Sequence, residues 1–274
     1  MGHCQPVTRP TGHRARCRRS GRVGGFTLVE LLVVVAIVGV LASILIPVVG
    51  KARFSAKRAM CLSNIKGMLS AIHAYAVDHN GSIPYGPIAP PPSPSNLYPV
   101  TGMVTSQLSL RAGEPVGLGL LLTNYLGRQP AIVFCPGTDQ RRDARAELAK
   151  VGTRQAVSGY YYRHGGNTLA TLRQPHDTWD DHTILESLGR NRRNQPIRAL
   201  ITDQNFLTGV PLAAFGIVNR TNHKRKWVHA GYADGHAEPR RNNRGRYTVD
   251  VGNFPFNGPS KILAVFERLD VAHK

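Results

Sequence analysis

Residues 24–49 read GGFTLVELLVVVAIVGVLASILIPVV, and this stretch decides the fold of the N-terminal part of the 274-residue chain. Residues 31–49 carry no charge, and Glu30 is the only ionisable residue within 26–49. An apolar run of this length is long enough to cross a bilayer as an α-helix. We therefore predict one membrane-spanning helix over residues 26–49, with most of the chain outside the membrane.

The charge of the chain is unevenly distributed. The sequence has 35 Lys and Arg against 16 Asp and Glu, a formal net charge of +19. Residues 1–24 contribute six Arg and no acidic residue, which is typical of a targeting or processing signal. An ordinary secretory signal has an apolar core of only about 7–15 residues, so the longer run here argues against one. With 42% hydrophobic residues the chain can bury a core, and general disorder is excluded.

The junction string GGFTLVE, residues 24–30, resembles the processing signal of type IV prepilins. The resemblance implies that a prepilin peptidase cuts between Gly25 and Phe26 and methylates the new amino group of Phe26. It also implies that Glu30, the fifth residue of the mature chain, pairs with the N-terminal ammonium group of a neighbouring subunit. A carboxylate in hydrocarbon needs such a partner. The alternative is a signal anchor in which Glu30 has no such role.

The sequence divides into four parts. Residues 1–25 form the basic leader that the resemblance marks for cleavage, 26–80 a long helix, 81–99 a connector with seven prolines, and 100–274 a globular head. Pro47 is expected to bend or loosen the helix. Apolar residues continue at helical spacing beyond the membrane stretch and predict a stripe that packs on the head: Ala56, Met60, Ile65, Met68, Leu69, Ile72, Tyr75 and Ala76.

The head sequence predicts a mixture of short helices and strands. Helices are predicted over residues 115–126, 138–151 and 260–269. Strands are predicted over residues 132–135, 157–163, 199–202, 227–233 and 247–251. The dipeptide Asp234-Gly235 favours a tight turn, after which residues 236–238 return as a paired strand.

Four short islands stand out beyond the signal: CLSNIK at 61–66, Phe134-Cys135-Pro136, Ile201-Thr202-Asp203, and the stretch from His223 to His236. Together they are similar to a large group of bacterial pseudopilin-like proteins, abundant in planctomycetes, with a His-x9-Asp-Gly signature. Here ten residues rather than nine separate His223 from Asp234. The resemblance implies an α+β fold in which the long N-terminal helix packs on a small, mainly antiparallel sheet. It marks as head signature residues Cys135, His223, Asp234, Gly235 and His236.

No catalytic constellation is evident, and no cofactor is predicted. A nucleophile elbow is missing from the sequence. His229, Asp234 and His236 are the candidates for metal ligands, but a turn closed by the Asp234 carboxylate is favoured, so no metal site is predicted. The two cysteines that remain after cleavage, Cys61 and Cys135, either form a disulfide that ties the helix to the head or are small buried apolar residues.

Basic clusters occur in the head at residues 141–142, 190–193, 224–226 and 240–246. Clustered Lys and Arg are typical of nucleic-acid binding. A solvated basic surface, which can also face anionic lipid headgroups, is the favoured interpretation.

The sequence as a whole favours a prepilin-like structural subunit that is not an enzyme. Its expected partners are a prepilin peptidase, other pilin or pseudopilin subunits, and membrane lipid. We expect a single-pass protein of the cytoplasmic (inner) membrane with its head in the periplasm or outside the cell, in a type II secretion pseudopilus or a type IV pilus-like surface filament. Two alternatives remain: a membrane-tethered binding or metal-dependent domain, and a DNA-binding pilin.

Overall fold

The computed structural model separates into two units, residues 1–49 and 50–274. Each unit is described by itself below. The described residues are 27–86, 104–110, 112–127, 129–139, 143–164, 183–209, 218–252 and 258–272.

The first unit is the N-terminal part of helix α1, which begins at Leu28 and ends, in the second unit, at Asp78. Its helical backbone continues through Pro47. An 18-residue window of α1 has a mean hydropathy of 3.1, and none of that window is buried. Among the described residues, α1 is the one helix long and apolar enough to cross a membrane. Its exposed apolar side chains are more stable in contact with lipid than with water.

The second unit contains the remainder of α1, whose buried side chains recur at helical spacing. The helix ends at Asp78, two residues before the end of the predicted segment 26–80, and the Gly81 amide then donates to the carbonyl of Ala76 at 2.7 Å. Met60, predicted on the buried stripe, is 56% exposed instead, and Cys61 is fully buried. The buried residues of α1 are Cys61, Ile65, Met68, Leu69, Ala71, Ile72, Tyr75 and Ala76.

The head is built around an antiparallel sheet with strand order β1-β2-β3-β5-β6. A separate two-stranded parallel pair joins β4 and β7. The strands are β1 Val104–Ser109, β2 Ala156–Arg163, β3 Ala199–Asp203, β4 Phe206–Leu207, β5 Trp227–Tyr232, β6 Ala237–Arg241 and β7 Val249–Asp250. The helices after α1 are α2 Leu121–Asn124, α3 Ala144–Leu148 and α4 Gly258–Ala272, and 3₁₀ turns occupy Gly117–Leu120, Pro130–Val133, Leu185–Ser187, His223–Arg225 and Asn243–Gly245.

The sheet separates two hydrophobic clusters. Side chains of Tyr160 and Tyr162 belong to the cluster formed with α1, whereas Tyr161 belongs to the cluster formed with α4. Successive side chains of a strand point to opposite faces, so β2 contributes to both clusters. The described head is thus an α+β arrangement with a helix packed on each face of a mainly antiparallel sheet, and the predicted fold class is confirmed.

Most predicted elements of the head are present with slightly different bounds, but two predictions are wrong. Residues 132–135 are not a strand, because Pro130 at the first helical position favours the 3₁₀ turn Pro130–Val133. The helix predicted over 138–151 is confined, among the described residues, to Ala144–Leu148, which begins after the N-cap Asp143. Of the predicted connector 81–99, only residues 81–86 lie within the described residues.

Candidate functional site

The predicted processing site falls at the edge of the described residues. Gly25 and Phe26 lie outside them, whereas Thr27 and Glu30 lie inside. The Glu30 amide donates to Thr27 Oγ1 at 3.2 Å, and Glu30 Oε2 accepts from the Thr27 amide at 2.9 Å and from its hydroxyl at 2.7 Å. This reciprocal pairing is a capping box, which satisfies amide groups that have no partner at the start of a helix. The Glu30 carboxylate is exposed and is held at the beginning of α1.

A second constellation is buried in the head. Cys61, Cys135, Asp203 and His223 each direct one potential ligand atom to a common point, and these four atoms lie within 4.8 Å of one another. Cys61 Sγ lies 3.3 Å from Cys135 Sγ and donates to Asp203 Oδ1 at 3.0 Å. Cys135 Sγ lies 3.2 Å from His223 Nε2. We call these four residues the Cys-Cys-Asp-His cluster.

The cluster is assembled from four separate segments of the chain. Cys61 lies on α1 and Cys135 follows the 3₁₀ turn Pro130–Val133, while Asp203 is the last residue of β3 and His223 begins another 3₁₀ turn. All four side chains are at most 3% exposed. The fold, rather than any local motif, brings them together.

Strand pairing fixes the orientation of Asp203. Its Oδ2 accepts from the backbone amide of His229 at 2.9 Å and lies 2.7 Å from His229 Nδ1. His229 lies on β5, which pairs with β3 in the sheet. The predicted metal candidate His229 therefore contacts the cluster through Asp203 and holds that carboxylate in place.

The loop that carries His223 adopts an unusual backbone. His223, Lys224 and Arg225 have φ angles of 51°, 53° and 57°. Left-handed helical backbone costs about 1–2 kcal/mol per residue for L-amino acids. This left-handed turn directs His223 into the cluster.

Asp139 fastens that strained loop to the segment after Cys135. Its carboxylate accepts from the Lys224 amide at 3.1 Å and from the Thr221 hydroxyl at 2.8 Å. The His223 amide donates to the Gly137 carbonyl at 2.8 Å. A Cβ atom at Gly137 would lie only 2.2 Å from His223 Cε1, so glycine permits this close approach. No residue-type signal in the sequence singles out Asp139.

Burial sets the protonation of the cluster. It raises the pKa of the Cys61 thiol well above its usual value and also raises the pKa of Cys135. Burial lowers the pKa of His223. Burial alone would raise the pKa of Asp203, but its hydrogen bonds and electrostatic interactions with His229, His223 and Cys61 together outweigh burial, and the net shift is downward. The cluster as described holds two thiols, a carboxylate and a neutral imidazole.

The other predicted head residues lie elsewhere. Asp234, Gly235 and His236 occupy the exposed turn between β5 and β6, where the His236 amide donates to Asp234 Oδ1 at 2.9 Å. The Asp234 carboxylate therefore closes this turn. His229 is buried while Asp234 and His236 are exposed, so the ligand candidates His229, Asp234 and His236 are not assembled as a set, and the structure brings together a different one.

Cys61 and Cys135 are free thiols in the structure. Their separation in the sequence gives no indication of proximity, yet the fold places the two sulfur atoms side by side. The disulfide stays a prediction that this proximity permits.

A cleft with a volume of about 610 Å³ reaches the cluster from one side. Its lining includes Asn64, Phe134, Cys135 and Asn222. Asn64, from the CLSNIK island on α1, donates to the Phe134 carbonyl at 3.2 Å and so fixes one edge of the cleft. The Cys135 side chain is the part of the cluster that this cleft approaches.

Several arginines of the predicted basic clusters are paired. Arg192 Nε donates to Glu267 Oε1 at 2.6 Å, and Arg240 Nε donates to Glu238 Oε1 at 2.7 Å. The Arg241 guanidinium lies 5.1 Å from the centre of the Trp227 ring. Residues 141–142 lie outside the described residues. Pairing of this kind reduces the positive charge available to a phosphate backbone and favours the solvated basic surface.

Comparison with known proteins identifies the N-terminal feature. A protein-family model described as the prokaryotic N-terminal methylation motif matches residues 21–46. The N-terminal part of the chain is prepilin-like. The match covers the end of the leader, the capping box and most of the exposed apolar part of α1, whereas the Cys-Cys-Asp-His cluster lies entirely outside it.

The chain is also similar to two curated proteins, one named for a type II secretion system and the other for the ComG operon. It is 36% identical over 76 residues to the type II secretion system core protein G of Pectobacterium carotovorum subsp. carotovorum, an alignment that covers 28% of this chain and 49% of the relative. It is 40% identical over 60 residues to the ComG operon protein 3 homolog of Bacillus licheniformis, covering 22% and 62%. The chain thus spans about half to three-fifths of the length of these relatives. No solved structure matches it significantly.

Proposed function

We propose that this prepilin-like chain is a structural subunit that assembles into a type II secretion pseudopilus or a related pilus-like filament. The observation that carries the proposal is the methylation motif over residues 21–46, which lies on an exposed, strongly apolar part of α1. The names of the two relatives support the same role. We infer a structural rather than an enzymatic activity.

The proposed topology follows from the order of the parts. The leader 1–25 is removed by a prepilin peptidase, residues 26–49 anchor the chain in the cytoplasmic membrane, and the head, residues 100–274, lies on the far side of that membrane. Subunits then associate through the apolar part of α1, because those side chains can leave lipid for another helix at little cost.

Glu30 has a specific part in this assembly. A carboxylate inside the hydrocarbon region is costly unless it finds a partner. Within one chain, Thr27 supplies two hydrogen bonds to Glu30 Oε2 but no positive charge. We propose that the methylated ammonium group of Phe26 on a neighbouring subunit supplies that charge and sets the register between subunits.

We expect the mature chain to begin at Phe26 and to carry a methyl group on its terminal nitrogen. Peptide mass spectrometry of the protein extracted from its own membranes measures this directly. Gly25→Ala is expected to leave the leader attached, because it alters the residue that precedes the cut. A protein that still begins at Met1, or one cut after residue 50, would contradict the proposal.

The variant Glu30→Ala is expected to be cleaved normally but to enter filaments poorly. Thr27→Val is the matched control: it removes the hydroxyl of the capping box, worth about 1 kcal/mol of helix stability, and keeps the carboxylate. Shearing filaments from cells and blotting for the subunit measures incorporation of both variants. If Glu30→Ala enters filaments as wild type does, or if Thr27→Val fails equally, pairing between Glu30 and Phe26 is not what drives assembly.

A further inference from the structure

We propose that Cys61, Cys135, Asp203 and His223 bind one Zn²⁺ ion, which fastens helix α1 to the sheet of the head. The proposal does not depend on the role in a filament. It concerns a buried site that the methylation motif does not reach and that neither relative's name implies.

The geometry of the cluster is close to that of a tetrahedral zinc site. Zinc lies about 2.3 Å from sulfur ligands and about 2.0–2.1 Å from nitrogen and oxygen ligands, so the donor atoms of a tetrahedron are about 3.3–3.8 Å apart. The sulfur atoms of Cys61 and Cys135 are 3.3 Å apart, and Cys135 Sγ is 3.2 Å from His223 Nε2. His223 Nε2 is 3.7 Å from Asp203 Oδ2, and Cys61 Sγ is 3.0 Å from Asp203 Oδ1. Small outward shifts of these side chains would admit the ion.

The chemical types of the four donor atoms favour zinc over calcium and magnesium. Two cysteines and a histidine are typical of zinc sites, and an aspartate oxygen is an accepted fourth ligand. Calcium and magnesium prefer sites built mainly from oxygen atoms, which this cluster is not. Four protein ligands leave no open position, so the site is of the structural class rather than the catalytic class.

Neighbouring groups hold the ligands in place. His229 contacts Asp203 Oδ2 through both its backbone amide and its ring, as partners of metal-bound carboxylates commonly do. The Tyr160 hydroxyl lies 3.2 Å from Cys61 Sγ. The strained turn at His223 is fastened by Asp139. Backbone strain of this kind persists only where the surrounding structure enforces it, and it concentrates at functional sites.

Zinc satisfies the buried polar atoms better than a disulfide does. Asp203 Oδ1 accepts the thiol hydrogen of Cys61, and that hydrogen is lost when the two cysteines are oxidised to a disulfide. Asp203 is 2% exposed, so the loss would leave a buried carboxylate oxygen without this donor. When Zn²⁺ binds instead, the two thiols release their protons and both the thiolates and the carboxylate contact the cation.

The cleft beside Cys135 provides a route for the ion. It opens to the surface, has a volume of about 610 Å³, and Cys135 is among its lining residues. The other three ligands lie deeper and are at most 2% exposed. Once bound, zinc would join four segments that are distant in the sequence, and the binding free energy would add to the stability of the head.

The test is metal analysis of the full-length chain in detergent, purified without chelator or reductant. We expect about one zinc per chain, as for other closed four-ligand sites. Cys61→Ser, Cys135→Ser and His223→Ala should each lose it. Asp234→Asn and His236→Ala are the matched controls, because they alter exposed members of the sequence-predicted candidate set, and both should keep zinc. His229→Ala should lower zinc affinity by about 10–100-fold, since it removes a group that positions a ligand.

A measurement on the wild-type chain covers the case in which ligand variants fail to fold. Replacing zinc by Co²⁺ should give a thiolate-to-cobalt charge-transfer band and the strong visible bands of a tetrahedral site. Alkylation should label Cys61 and Cys135 only after the metal is chelated. A metal-free wild type with two thiols, an intact mass that shows the disulfide, zinc retained by the cysteine variants, or a cobalt spectrum without a thiolate band would each overturn the proposal.

Discussion

Replacement of Asp270 by alanine is expected to lower the free energy of unfolding of the globular unit, residues 50–274, by about 3–5 kcal/mol. Asp270 lies on α4 and is 4% exposed. Its two oxygens accept from Arg163 Nη1 at 3.1 and 3.0 Å, and Asn191 Nδ2 donates to one of them at 3.0 Å. The other also accepts from the amides of Arg198 and Ala199, both at 2.9 Å. One side chain therefore connects α4 to β2, β3 and the loop before β3.

The size of the effect comes from the cation that would be left behind. Arg163 is 1% exposed, and within the described residues its Nε and Nη2 atoms have no hydrogen-bond partner. Burial lowers the pKa of Arg163, and the nearby Asp270 charge opposes that shift. Without Asp270 the guanidinium would be a buried charge that has lost its hydrogen-bonded counter-ion, which is among the costliest defects a core can contain.

Chemical denaturation of the detergent-solubilised chain, followed by tryptophan fluorescence, measures the free energy of unfolding of the Asp270→Ala variant. Lys150→Ala is the control, because it breaks the partly exposed ion pair with Glu147 and should cost at most about 1 kcal/mol. The double variant Arg163→Met with Asp270→Leu should recover only the part of the loss that comes from the unpaired guanidinium, because the donors of Asn191, Arg198 and Ala199 still lose their acceptor. An Asp270→Ala chain as stable as the Lys150→Ala chain would show that Asp270 is not essential to this core.

The elements that depend on local pattern were predictable from the sequence. The apolar run predicts the exposed part of α1, and the helical spacing of Ile65, Met68 and Leu69 predicts its buried stripe. Strands β2, β3 and β5 were recognised because they are apolar, rich in β-branched or aromatic residues, and bounded by turn residues.

Elements that depend on distant contacts were not predictable. Strand β1 reads VTSQLS, and all six residues are buried although four are polar, so neither alternation nor hydrophobicity indicates a strand. Strand β7 lies within the predicted strand 247–251, but β4 was not predicted, and neither stretch of sequence shows that the two segments pair.

For the candidate site too, some features were predictable from the sequence and others were not. Cys61, Cys135 and His223 were singled out by their residue types and by resemblance, but nothing in their spacing shows that they meet. Asp203 was noted only as the residue that ends a strand. Its position in the cluster follows from the pairing of β3 with β5, which brings it to His229. The cluster residues are far apart in the sequence, and only the complete fold brings α1 and the sheet together.

Gly231→Val is expected to destabilise the globular unit by about 3 kcal/mol, because it fills the place where α1 touches the sheet. A Cβ atom at Gly231 would lie 2.5 Å from Ile65 Cγ2 and 3.0 Å from Leu69 Cδ1. Both residues are at most 1% exposed, so they have little room to move away. Denaturation monitored as for Asp270 measures the loss.

The double variant Gly231→Val with Ile65→Ala identifies the contact. Ile65→Ala alone opens a cavity and should cost about 2–5 kcal/mol, but in the double variant the new valine occupies that space. The pair should therefore be more stable than the sum of the single losses by about 0.5–3 kcal/mol. Strictly additive losses would mean that the helix does not rest on Gly231. Ile65 lies one turn after Cys61, and Gly231 lies two residues after His229, so the contact that seats the helix also sets the distance between Cys61 and Asp203.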